Sequence, residues 1–94
     1  MRDETTPIVT VTLPYVLVKL FPGCPRELTV PAATVAEMIA ALEARWPGMR
    51  DRLCDSTPAI RRHINIFVAG ERASLATRLS PNAAVFVMTA ISGG

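Results

Sequence analysis

Few residues of this 94-residue chain could do chemistry: Cys24, Cys54, His63 and the closing run Ser92-Gly93-Gly94. One histidine and two cysteines fall short of the four N/S ligands of an ordinary protein metal site, so no metal is expected. Neither cysteine has a CxxC neighbour. Without a secretion signal they are expected as free, structural thiols of a reducing compartment. Serines and threonines are scattered around a single histidine, so no nucleophile, base and orienting acid can be assembled from spacing. That leaves the ending. At an average glycine usage of about 7%, two closing glycines arise by chance in roughly one chain in two hundred. They follow closely on a strand-like run, so Gly93 and Gly94 are expected to project from a sheet edge. The reactive group on offer is then the carboxylate of Gly94.

The bulk numbers agree that an internal active site has little room. A chain of this size buries only roughly 60–65% of the surface it exposes when unfolded. One domain over 1–94 is expected, with a tail at 92–94. Half of the residues are hydrophobic and 19% are charged, the balance of a folded domain. A net charge of +2 is too small to argue for nucleic acid or a membrane surface as partner. No apolar run approaches the ~18 residues that span a bilayer. The start Met1-Arg2-Asp3-Glu4 has no apolar core behind it, which predicts a cytoplasmic protein.

The elements that must position the ending read as follows. Ile8 to Leu13 is a β-branched run stopped by Pro14, hence a first strand. Tyr15 to Phe21 is strand-like too, either a continuation or an ordered loop closed by Pro22-Gly23 and Pro25. Arg26 to Val30 offers a short strand before Pro31. Thr34 with Glu37 three residues on is a capping box, in which each side chain is expected to satisfy the other residue's N–H. Val35, Met38, Ile39, Leu42 and Trp46 then form a helical stripe facing a core. Pro47 and Gly48 end that helix. Met49 and Leu53 suggest one more helical turn, and Leu75 and Leu79 a short helical turn over the core. Ile64, Ile66 and Val68 alternate as a strand with Gly70 turning after it, and Pro81-Asn82 leads into a last strand, Ala84 to Ala90. Strand, strand, helix, strand, strand is an α+β order with one main helix to cover a small mixed sheet. A ferredoxin-like split would need a second full helix.

With that order in place, the chain resembles the ubiquitin-like β-grasp sulfur carriers. The family includes the molybdopterin synthase small subunit, the thiamine-biosynthesis carrier and the carrier of a thiocarboxylate-dependent cysteine synthase. Val9-Thr10-Val11-Thr12-Leu13-Pro14, Leu42-Glu43-Ala44-Arg45-Trp46-Pro47-Gly48, His63-Ile64-Asn65-Ile66-Phe67-Val68 and Ala90-Ile91-Ser92-Gly93-Gly94 carry the likeness, which is strongest to the cysteine-synthase carrier. Two departures stand out: Pro81-Asn82-Ala83 replaces an Asp-Gly-Asp turn, and Thr89-Ala90-Ile91 lacks the proline often found before the tail.

The resemblance implies a carrier rather than an enzyme. A ubiquitin-activating-type adenylyltransferase uses ATP to convert the Gly94 carboxylate to an acyl adenylate. Sulfur then replaces AMP, and the thiocarboxylate hands sulfide to an acceptor enzyme, cysteine synthase-like or from another biosynthetic pathway. Gly94 carries the sulfur and Gly93 gives access, because glycines put no side chain in a narrow tunnel. Ser92 is read as a small spacer. No cofactor is expected on the carrier itself. A molybdopterin synthase small subunit and a ubiquitin-like modifier joined to lysines through Gly94 share the same tail and remain open alternatives.

A carrier must be gripped. If Val85 and Val87 face the core with Ile64, Ile66 and Val68, alternation sends Phe67, Phe86 and Met88 to the other face. With Ile91, these are the expected partner-binding residues, since an apolar patch left in water marks an interface. The competing expectation is that Tyr15, Leu17, Leu20 and Phe21 fold over the patch. Arg61-Arg62-His63 reads as a solvated strand edge, and Trp46 as a core anchor.

Overall fold

The structure, a computed structural model, describes residues 6–57 and 59–89. Five strands form one mixed sheet: β1 (Ile8–Thr12), β2 (Glu27–Pro31), β3 (Ile64–Val68), β4 (Glu71–Arg72) and β5 (Ala84–Thr89), in the order β2-β1-β5-β3-β4. The two central strands, β1 and β5, run parallel, while every other neighbouring pair is antiparallel. Parallel strands need a crossover. Here the intervening chain supplies it, with α2 (Val35–Arg45) and α3 (Met49–Leu53) laid across one face.

The helix α2 forms for the reasons its sequence gives. Thr34 is extended, and its Oγ1 accepts the Glu37 N–H at 3.1 Å. Glu37 reaches one residue further back than a capping box requires, its Oε1 accepting from the Ala33 N–H at 2.8 Å. The backbone here is tied to a neighbouring segment, with Val35 N–H donating to the Thr77 carbonyl and Leu79 N–H to that of Ala33. Val35, Met38, Ile39 and Leu42 are buried, each contributing about 1.5–3 kcal/mol by leaving water. Pro47 holds Trp46 out of the helical region, at φ −132 and ψ 86. Gly48 then takes φ +102, a conformation that L side chains rarely adopt, with the Phe21 ring at van der Waals distance from where a Cβ would stand. Glu43 locks the corner, its carboxylate accepting from the N–H groups of Gly48 at 3.1 Å and Arg50 at 2.8 Å. Those two bonds hold its pKa below the ordinary value.

Two expected elements differ. Tyr15–Val18 is a short helix, α1, rather than strand or open loop. The Pro14 carbonyl accepts from Leu17 and Val18 at 3.0 and 3.1 Å, closing one turn that drives Leu17 into the core. That burial outweighs the β preference of the two valines. Around Leu75 and Leu79 there is a turn and an isolated bridge, Thr34 to Arg78, and no helix. Edge strand β4 was not anticipated. It follows from Ala69 and Gly70, both at positive φ, which fold Glu71 and Arg72 back against Val68 and Phe67. Trp46 is half-buried against the core, with the Arg45 guanidinium 5.3 Å from its ring centre.

The core fills the space between sheet and helices: Val9, Val11, Val30, Ile66, Val85 and Val87 from the strands meet Met38, Leu42, Met49 and Leu53. No helix among the described residues is long and apolar enough to cross a membrane.

Candidate functional site

Period-two alternation divides each strand between the two faces. On β5, Val85 and Val87 are buried while Phe86 and Met88 are 46% and 50% exposed. On β3, Ile64 and Ile66 are buried, whereas Asn65 and Phe67 are half-buried on the other side. Register brings the outward residues together: Phe67 lies opposite Phe86, Asn65 opposite Met88, and Phe86 is flanked on its other side by Thr12. Three of the four expected partner-facing residues therefore share one patch. Ile91 lies outside the described residues, as do Ser92, Gly93 and Gly94.

The loop after β1 does not close over this patch. Leu17 is in the core and Phe21 packs against it, both on the helix side. Tyr15, Val16 and Leu20 remain exposed. Because β1 and β5 are parallel, their C-terminal ends point to the same edge of the sheet. That edge carries α1, following β1, and it is where β5 ends at Thr89, opposite Ile64. From there five residues remain to Gly94. In sequence, the diglycine thus follows the strand that carries the apolar patch.

The other chemical candidates are not assembled into a site. Cys24 and Cys54 are buried and free. Burial pushes both thiols above their ordinary pKa, against the partial help of Arg45 for one and Arg50 for the other, which is the reverse of an activated nucleophile. No group of three or more His, Cys, Asp or Glu side chains among the described residues could hold a metal ion. His63 is exposed and lines an open groove of about 500 Å³ with Gly48, Asp51, Arg52 and Arg61. The basic edge is less free than the sequence implied: Arg61 Nε donates to the Asp51 carbonyl at 2.7 Å. Sequence reasoning also missed Arg72, whose Nη2 donates to Asn65 Oδ1 at 2.7 Å beside the patch. The fold-back at Ala69-Gly70 places residue 72 opposite residue 67, and only Gly70, expected as a turn, hinted at it in the sequence.

A mixed five-stranded sheet with β1 and β5 parallel, crossed on one face by a single long helix and, among the described residues, open on the other, is the ubiquitin-like β-grasp. No protein-family model matches the chain. The sulfur carrier protein CysO of Mycobacterium tuberculosis is 32% identical over 92 residues, covering 92% of this chain and 98% of that protein. The chain belongs to the CysO sulfur-carrier family. Among solved structures, the Amycolatopsis orientalis BexX/CysO complex contains a chain that superposes with a TM-score of 0.81 at 27% identity, covering 92% of this chain and 99% of that one. SAMP1 of Haloferax volcanii, at 23% identity and a TM-score of 0.77 over 93% of this chain and 99% of its own, shares the fold. This protein is accordingly a sulfur carrier.

Proposed function

We propose that the sulfur is carried as a thiocarboxylate on Gly94 and that the protein is a co-substrate for two other enzymes. The observation that supports this reading most is the closeness in sequence of β5 to the diglycine ending: Gly94 follows by five residues the last residue, Thr89, of the strand that bears Phe86 and Met88. A free carboxylate is a poor acyl donor. An adenylyltransferase joins it to AMP with release of pyrophosphate from ATP, and a sulfide equivalent then displaces AMP to leave the C–S bond. Gly93 and Ser92 let the end thread a narrow active site because they place little or no side chain there.

Membership of the CysO family favours a cysteine synthase-like acceptor. The Amycolatopsis orientalis carrier, crystallised with BexX, supports a protein partner and keeps another biosynthetic acceptor as the second reading. In either case Phe67, Phe86, Met88 and Ile91 are the surface that partners grip, with the tail delivered past them. The exposure of two large apolar side chains on an uncovered sheet face supports that assignment.

Reconstitution tests the acceptor. The carrier, once loaded by ATP, adenylyltransferase and sulfide, is mixed with a cysteine synthase-like enzyme and its activated serine substrate. A carrier–cysteine acyl adduct should form in equal amount to the thiocarboxylate lost, the serine's activating group departing, and should yield free cysteine and the Gly94 carboxylate on hydrolysis. Retention of the thiocarboxylate would exclude that acceptor, and isopeptide adducts on lysines would favour the modifier reading instead.

A further inference from the structure

If the open face receives a protein partner, the ground beside it describes that partner's chemistry. Arg72 pairs with Phe67 and therefore stands on the open face. Its bond to Asn65 holds the guanidinium with a neutral amide, fixing its direction without neutralising its charge among the described residues. Arg61 is set in the same way by the Asp51 backbone carbonyl. Arg61, Arg62, Arg72 and Asn65 line one groove of about 220 Å³ along the β3–β4 side. The aspartates of this region sit nearer Arg61 than Arg72: hydrogen bonds from Thr57, and after them the Arg61 charge, help to lower the Asp55 pKa. Asp55 accepts from the N–H groups of Thr57 and Ala59, Asp51 lines the adjoining groove, and Glu71 pairs with Val68, facing away from Arg72's side.

We infer that this groove takes an acidic segment of the partner protein, a short run of Asp or Glu side chains, while the partner's apolar surface covers Phe67, Phe86 and Met88. The inference rests on the open-face reading above. Arginine presents paired donors that match a carboxylate, and oriented arginines fix register more than they add affinity. Continuity supplies the second argument: Asn65 and Arg72 line the groove and also border the apolar patch, a combination that suits a protein surface. A net charge of +2 gives little counterion release to hold a nucleic acid. Position supplies the third, since Ile64, at the groove, lies opposite Thr89, the last residue of β5 and five residues before Gly94 in sequence. An acidic rim at the mouth of the partner's active site would meet these arginines as the ending enters.

The test titrates the ¹⁵N-labelled chain with an acetylated hexaglutamate peptide at low salt, where exposed charges are least screened. Amide shifts should saturate at residues 60–66 and 72–73. Affinity should fall by about tenfold or more in an Arg62→Glu, Arg72→Glu double variant and stay unchanged in Phe86→Ala, because the peptide has no apolar group. Shifts spread evenly over Lys19, Arg26 and Arg45, or none in the groove, would overturn the inference while leaving the open-face reading to its own variants. Displacement of the peptide by a six-phosphate oligothymidylate at equal concentration would also overturn it, making the ligand a nucleic acid. Groove binding by the peptide, with partner-enzyme binding untouched by Phe86→Ala and Met88→Ala, would support the groove and refute the open face.

Discussion

The two faces of one sheet have different work. One presents Val9, Val11, Val30, Ile66, Val85 and Val87 to the helices, each at most 2% exposed. The other presents Thr10, Thr12, Phe67, Phe86 and Met88, side chains that alternate with the first set along the same strands. Identical backbone geometry serves both, so what separates them is the chemistry of alternate residues and, among the described residues, a single helical layer. Stability resides on the covered face. Exposed aromatic and methionine side chains on the open face stabilise the domain little and are available to another molecule.

That contrast can be broken most forcefully from the covered side. Ile66→Ala or Leu42→Ala should destabilise the domain by about 2–5 kcal/mol in chemical denaturation, the cost of lost burial plus an unfilled cavity. A smaller loss follows from loosening the covering layer: Thr34→Ala removes the oxygen that accepts the Glu37 N–H and should cost about 1 kcal/mol. Truncation on the open face should cost less than about 1 kcal/mol, because Phe86→Ala and Met88→Ala leave no cavity, yet it should weaken binding to an activating or acceptor enzyme measurably. Melts showing losses of the buried size would invert the assignment of faces.

The smallest effect concerns pH. Glu43 fixes the corner between α2 and α3, and its folded pKa lies below the ordinary 4.5 because backbone N–H groups favour its charged form. Its contribution is therefore complete above 4.5 and is lost as pH falls through the lower folded value. A Glu43→Gln variant should melt below the parent at pH 7, and the difference should shrink steadily under acid.

How much of this was legible depended on whether a signal was local. The cap at Thr34, the break at Pro47-Gly48 and the alternation of β3 and β5 are each written in a few adjacent residues, and all appear where expected. Tyr15–Val18 misled because its β-branched residues suit a strand while its conformation is decided by Leu17 reaching a core built from distant elements. β4 was hidden for a related reason: two charged residues have no periodicity, and only their fold-back on β3 makes them a strand. Among site residues, Phe67, Phe86 and Met88 could be read from parity alone. Arg72 could not, since its value comes from Asn65, seven residues away in sequence and adjacent only through that pairing.

The central claim is that Gly94 is the sulfur-bearing residue. The most direct measurement is the intact mass of the full chain and of a variant lacking Gly94, each after incubation with ATP, an adenylyltransferase of the family and a sulfide source. The full chain should gain about 16 mass units, one oxygen exchanged for sulfur at an end that glycine leaves unobstructed. The shortened chain, with an unchanged melting temperature, should gain nothing. Equal gain in both, or a gain mapped to any residue other than Gly94, would contradict the account.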